Sequence, residues 1–304
     1  MTGLIFLLAI GLAILWVLGI VYTLWSLTHP PRRTYASAIR KGQPGDPSEL
    51  DEPRGYSEWS FQSRAKKLAA WDIVGDNPAG PVCIYTHGWG NAKTDALVRL
   101  DPIIAHCSRI IAWDQPGHGE SSGSCDMGVG EVDDLIVLAK QLSADTPLLF
   151  YGWSMGAGVS IAAAATLGNV AAVIAESPYR IAYTPAKNVV SQAAMPWRLT
   201  LNPGFWLMGL IRRRTVTWAS NWPEFDRAER AKELTCPLLV VHGDQDLVSP
   251  FQDGKDIADA APEGTLLTLE NAGHNGIWTD DETRSILVSE IRGFLDRALP
   301  DSQP

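Results

Sequence analysis

One stretch constrains this chain more than any other: Pro147-Leu-Leu-Phe-Tyr-Gly-Trp-Ser-Met-Gly-Ala-Gly158. Residues 147–151 form a short apolar run bounded by turn residues, the pattern of a strand buried on both faces. Gly152, Trp153, Ser154, Met155 and Gly156 follow at once, and then the small, helix-favouring run 159–165. A strand that turns into a helix so abruptly leaves no room for a Cβ at the flanking positions, and both are glycine. Such a turn lifts its serine out of the end of a sheet, beside the positive end of the following helix. Ser154 is therefore a candidate nucleophile, and the rest of the chain must supply a base, an acid and donors for an oxyanion. Alone, G-x-S-x-G is often only a serine in a glycine-rich turn; the strand before it and the helix after it favour the chemical reading.

The pattern around that stretch predicts an α/β fold. Strands are expected at 56–63, 67–74, 81–86, 110–113, 170–175, 237–241 and 265–269, and helices at 92–106, 130–142 and 281–299. Strands alternating with helices imply a mostly parallel sheet with helices on both faces. A chain of 304 residues holds one such domain with a well-buried core and a further element at its N-terminus.

That element is apolar. Residues 3–25 carry no charge, and the first charged side chain is Arg32. As a helix at ~1.5 Å per residue, the run reaches about 34 Å, enough to cross a bilayer core. Trp25 sits where an interfacial aromatic belongs. A core helix would need a domain around it, and a cleaved leader has a shorter apolar run and a basic start. Ala36-Ser37-Ala38 resembles a cleavage site but lies beyond Arg32 and Arg33. The reading is an uncleaved single-pass anchor. Arg32, Arg33, Arg40 and Lys41 follow it, so the positive-inside rule puts the remainder in the cytoplasm. The organisation expected is a transmembrane anchor at 1–28, a Pro/Gly-rich juxtamembrane linker at 29–54, and the α/β domain at 55–304.

A net charge of −9 offers no basic field for phosphates, which argues against nucleic acid as a partner. Cys83, Cys107, Cys125 and Cys236 show no C-x-x-C spacing, and reduced thiols are expected. No grouping of His, Cys and carboxylates makes a metal site, and no cofactor is expected.

In a parallel sheet, functional residues gather beyond the C-terminal ends of the strands. The strand at 237–241 runs into His242-Gly-Asp-Gln-Asp-Leu-Val-Ser-Pro250, offering Asp244 and Asp246. The strand at 265–269 runs into Glu270-Asn-Ala-Gly-His-Asn-Gly276, offering His274. A hydroxyl is a poor nucleophile near neutrality, so His274 would take its proton and a carboxylate would fix the imidazole tautomer. A lone histidine after a strand is usually a loop residue satisfying backbone groups. Serine, acid and histidine in that order reverse the judgement.

From about Tyr56 to Leu295 the chain resembles a serine α/β-hydrolase, and within that family a small membrane-anchored branch with a short lid that includes lysophospholipase-, acyl-thioesterase- and serine-aminopeptidase-like members. The motifs that carry the resemblance are His87-Gly88, Asp114-x-x-Gly117-His118-Gly119-x-Ser121, Gly152-Trp-Ser-Met-Gly156, Glu176-Ser-Pro178, His242-Gly-x-x-Asp246 and Gly273-His274. The resemblance implies Asp246 rather than Asp244 as the acid. It also implies that the backbone N–H groups of Trp89 and Met155 form the oxyanion hole, with His87 and Gly88 shaping its approach. Asp114-Gln-Pro-Gly-His-Gly is then a structural turn beside the site, and Glu176 a polar anchor near the elbow. Trp89 and Trp153 are expected either to wall a substrate pocket or to fill the surroundings of the turn.

The insertion at 179–235 is expected to form the lid. An apolar run there ends in Arg212, Arg213 and Arg214 near Trp218, and either covers the pocket or rests on lipid headgroups. The function expected is hydrolysis of a carboxylic ester or thioester through an acyl-enzyme, on a lipid-like or acylated substrate near the membrane. A serine peptidase of the same fold and a non-catalytic hydrolase-like scaffold stay open as alternatives.

Overall fold

The structure is a computed structural model that describes residues 2–40, 42–142, 145–192, 196–211 and 225–299. Arg212 to Arg214 and Trp218 lie outside the described residues.

Eight strands form one sheet in the order β1-β2-β4-β3-β5-β6-β7-β8. β1 (Tyr56–Ser63) and β2 (Lys66–Val74) are an antiparallel hairpin, and β2 pairs antiparallel with β4 (Arg109–Trp113). From β4 onward every pairing is parallel: β3 (Val82–Thr86), β5 (Leu148–Trp153), β6 (Val170–Glu176), β7 (Leu238–Gly243) and β8 (Gly264–Leu269). Every residue of β3, β5 and β7 is buried, as expected of strands covered on both faces. On one face Leu68, Ile84, Ile111, Phe150 and Val173 pack under α3 (Gly130–Lys140), α4 (Met155–Ala164) and α8 (Phe251–Ala260). On the other, Ile73, Tyr85, Ile110, Tyr151 and Ile174 pack under Leu97, Ile103 and the C-terminal helix α9 (Asp281–Ala298). The alternation of partners along each strand follows from the period-2 placement of side chains.

One expected helix is different. Residues 92–106 hold a 3₁₀ helix over Lys93–Arg99 and then turns as far as His106. Pro102 is the physical reason. It lacks an N–H, and its ring would meet the carbonyl four residues back, so a continuous α-helix cannot run through it undisturbed. The helix after Ser154, for its part, starts at Met155, immediately past the turn.

α1 (Thr2–Thr28) is long and apolar enough to cross a membrane, and none of its most apolar stretch is buried within the fold. Its last turns do touch the rest of the chain: Ile20, Thr23, Leu27 and Thr28 are buried. They pack on α6 (Trp197–Ile211), and the Trp16 indole N–H donates to the Leu199 carbonyl at 2.9 Å. Residues 29–54 contain the short helix α2 (Tyr35–Ile39) and are not free of the domain. Arg32 donates to the carbonyls of Gly119 and Ser121 at 2.9 and 2.7 Å. α5 (Tyr183–Gln192) and α6 precede the short α7 (Arg227–Ala231).

Candidate active site

β5 ends and α4 begins at Ser154, whose φ of 53° and ψ of −113° lie outside the ordinary regions for an L residue. The conformation is held by what surrounds it. A Cβ on Gly152 would stand 2.3 Å from the Gly156 carbonyl oxygen, and one on Gly156 2.0 Å from that of Thr86. The Ser154 N–H donates to the Glu176 carbonyl at 2.8 Å, tying the turn to the end of β6. Strain of this kind costs on the order of 1–3 kcal/mol and persists only when neighbouring backbone over-determines it.

His274 follows β8 and reaches back to the turn. Ser154 Oγ lies 2.9 Å from His274 Nε2, and His274 Nδ1 lies 2.7 Å from Asp246 Oδ2. Because Nδ1 faces an acceptor-only carboxylate, it carries the proton, and Nε2 is left to accept from the serine hydroxyl. All three side chains are buried. Asp246 sits in the loop after β7, and its other oxygen accepts the N–H groups of Val248 and Ser249, both at 2.8 Å. Burial alone would raise the Asp246 carboxyl. Hydrogen bonds from His242 and His274, the electrostatic attraction of the His274 ring and the Ser249 N–H outweigh burial and hold it well below the usual carboxylate range. Asp244, two residues earlier, is exposed, whereas Asp246 is turned inward to His274.

Beneath the turn lies a charged group that the sequence pattern does not pair. Arg99 donates to both oxygens of Glu176, Nε at 2.8 Å and Nη2 at 2.6 Å, and both residues are buried. The Tyr151 hydroxyl and the Trp278 indole each donate to Glu176 Oε2 at 3.0 Å. The Arg99 guanidinium also stacks 5.0 Å from the centre of the Trp153 ring, which is itself 5.7 Å from the His274 ring. Glu176 therefore supports the turn through its backbone carbonyl and, together with Asp95 at 3.0 Å, neutralises Arg99 with its side chain. Arg99 ends the 3₁₀ helix after β3, where neither periodicity nor motif marks it; only an arginine among apolar positions was there to be seen.

Gly88 lies against the turn, since a Cβ there would stand 2.8 Å from the Trp153 ring and 3.3 Å from Ser154 Cβ. That contact brings Trp89 beside Ser154. Met155 opens α4, so its N–H is one of the four that a helix leaves without an internal acceptor. His87 packs on His118 with ring centres 4.9 Å apart. Burial lowers both imidazoles, which keeps them neutral. Asp114 and His118 do not pair: Asp114 binds the backbone and ammonium of Lys93 and the Glu120 N–H, while His118 bonds the Pro116 carbonyl.

A cavity of about 240 Å³ opens onto Ser154 and His274. Trp89, Trp153, Met127 and Tyr179 line it from the sheet side, and Pro185, Ala186 and Val189 from α5. Trp153 thus both packs on Arg99 below and walls the cavity above.

Residues 82–285 match a family described as the alpha/beta hydrolase family. The chain is 29% identical over 214 residues to the lysophosphatidylserine lipase ABHD12 of Danio rerio, covering 66% of this chain and 52% of that protein. It is 29% identical over 257 residues to the protein of the same name in Mus musculus, covering 76% and 59%. It is 25% identical over 206 residues to protein ABHD12B of Homo sapiens, covering 64% and 54%. The chain spans about half the length of the curated relatives it matches. Among solved structures, esterase Pf2001 of Pyrococcus furiosus superimposes with a TM-score of 0.66 at 19% identity, covering 90% of this chain and 98% of that one. Est1E of Butyrivibrio proteoclasticus, with ferulic acid bound, gives 0.60 at 20% identity, covering 80% and 99%. At these identities the structures share the fold.

Proposed function

The chain belongs to the alpha/beta hydrolase family, and on that premise we propose that it is a serine hydrolase that cleaves a lipid-like acyl ester at a membrane. The observation that carries the reading is the continuous hydrogen-bonded line from Ser154 Oγ through His274 to Asp246, with steps of 2.9 and 2.7 Å.

In the first half-reaction Ser154 Oγ adds to the ester carbonyl and its proton passes to His274 Nε2. The negative oxygen that forms accepts hydrogen bonds from the N–H groups of Trp89 and Met155. Collapse of this intermediate breaks the bond to the leaving alcohol, which takes the proton from His274 and departs. Water then repeats the sequence on the acyl-enzyme: His274 removes its proton, the carboxylic acid leaves, and Ser154 is restored. Asp246 holds the Nδ1 proton in place and stabilises the imidazolium without itself being protonated. Its low pKa fits that part.

The apolar walls of the cavity support an acyl chain as the group bound, and the relatives named as lysophosphatidylserine lipases make a single-chain lipid ester the leading candidate. α1 is the anchor in this reading, residues 29–54 join it to the hydrolase domain at 55–304, and the insertion at 179–235 is the lid. The arginines after α1 support a cytoplasmic side for the domain in this reading. A protease-protection assay on sealed vesicles tests that orientation. A panel of p-nitrophenyl esters of rising acyl length, run beside Ser154→Ala, tests the chemistry. Hydrolysis lost in the variant supports the proposal; equal rates in both, or no labelling of Ser154 by a fluorophosphonate in folded protein, would sink it in favour of a scaffold.

A further inference from the structure

The cavity beside Ser154 is not built by the hydrolase fold alone. Leu27, in the last turn of α1, and Arg33, just beyond it, line it too, although both precede the residues matched by the family. Their position is fixed at several points. The Trp89 indole donates to the Leu27 carbonyl at 2.9 Å, and the Cys125 N–H to the Thr28 carbonyl at 2.8 Å. Arg32 is committed to two backbone carbonyls of the loop after β4. Leu27, Thr28 and Pro30 are buried. The end of the apolar helix is thus strapped across the site, and it holds the indole of the residue whose N–H faces the reacting carbonyl in the proposed mechanism.

Arg33 differs from its neighbour. Among the described residues no ion pair or hydrogen bond occupies its guanidinium, and it is the single permanently charged side chain in the cavity lining. A half-buried arginine lining a largely apolar cavity matches a ligand with an apolar body and an anionic end. Arginine suits carboxylate and phosphate groups because its planar fork meets them with two parallel hydrogen bonds. The volume favours one chain over two, since about 240 Å³ is small beside the roughly 300–1,000 Å³ of common ligand pockets.

We propose that the segment from Leu27 to Arg33 is part of the substrate site, with Leu27 closing the wall against the acyl chain and Arg33 holding the phosphate or carboxylate of a single-chain acyl ester. This deepens the serine-hydrolase reading and rests on it. The helix that anchors the protein also delivers its specificity, because the pocket mouth stands where α1 leaves the membrane.

The test uses the full-length protein in neutral detergent micelles. Lysophosphatidylserine and lysophosphatidic acid are compared with monoacylglycerol of the same acyl chain, which carries no anionic group. Arg33→Gln is expected to lower the ratio of kcat/KM for the anionic substrates over monoacylglycerol by roughly tenfold or more, the weight of a charge-assisted hydrogen bond. Arg33→Lys should recover part of that ratio. Arg40→Gln, at an exposed arginine outside the cavity, controls for attraction to a charged surface. If Arg33→Gln and Arg40→Gln shift the ratio equally, or Arg33→Gln leaves it alone, the headgroup assignment is overturned. Fluorophosphonate labelling of Ser154 in each variant reports an intact site. A wild-type protein that neither labels nor hydrolyses any ester would instead remove the underlying reading.

Discussion

The turn at Ser154 and the face made by α1 and α5, backed by α6, border the same cavity, yet they are built by different forces. At the turn, backbone meets backbone. Gly152 and Gly156 are pressed against carbonyls, the Ser154 N–H is bound to β6, and a buried ion pair of Arg99 and Glu176 lies underneath. On the opposite face, helices meet through apolar side chains. Leu27, Ala186, Val190, Leu201, Phe205 and Met208 pack together with few polar ties, and Leu199, Trp206, Leu210 and Ile211 remain exposed. Directional bonds and close backbone contact hold atoms to fractions of an ångström, as attack on a carbonyl requires. Apolar packing is non-directional and tolerates exchange of similar shapes. In the proposed function, then, chemistry belongs to the first region and choice of substrate to the second.

That division can be broken by experiment. The largest effect is expected at the turn: Ser154→Ala and Asp246→Asn should each lower kcat by about 10⁴-fold or more, with little change in melting temperature. Asp244→Asn should leave kcat within about threefold, as a surface substitution does. An equal loss at Asp244 would mean that the loop after β7 rearranges in solution. Next comes the support beneath. Glu176→Gln removes one of the two carboxylates that face Arg99, leaving Asp95 at 3.0 Å, and should cost about 1–3 kcal/mol in urea unfolding. A cost below about 1 kcal/mol would show the ion pair to be dispensable to the fold.

On the other face, Val189→Trp fills the cavity from α5. It should shift the preferred acyl chain shorter and cut activity on long esters roughly tenfold, because each methylene left unburied forfeits about 0.8 kcal/mol. If instead all chain lengths fall together, this face serves the chemistry as well, and the contrast fails. The smallest effect is expected where the two regions join, in the loop after Cys125. Glu131 accepts the N–H groups of Asp126 and Gly128, and burial, with Asp126 nearby, raises its carboxyl to about 7. The folded chain therefore keeps a proton that the unfolded chain releases between about 4.5 and about 7. Stability should fall as pH rises through that window. Melting temperatures at pH 5 and pH 8 should differ less in Glu131→Gln than in wild type; an unchanged difference would mean that Glu131 is ionised throughout.

Local spacing determined a good deal. The glycines on either side of Ser154, the apolar strands, the uncharged N-terminal helix and the order of Ser154, Asp246 and His274 all stand in the linear pattern, because turns, strands and helices are set by neighbours. Even the shortened helix after β3 had its cause in view at Pro102. What the pattern lacked was convergence. Asp244 and Asp246 have the same chemistry and nearly the same address, and only the path of the loop turns one toward His274 and leaves the other in solvent. Arg99 meets Glu176 from 77 residues away, and Leu27 meets Trp89 from 62. No periodicity encodes such meetings; they depend on strand order and on how the helices are stacked over the sheet. The order of residues along the chain sets which local pieces form and which chemistry they can offer. Tertiary structure decided which of those groups share one buried space, since burial and direction arise only when distant segments pack.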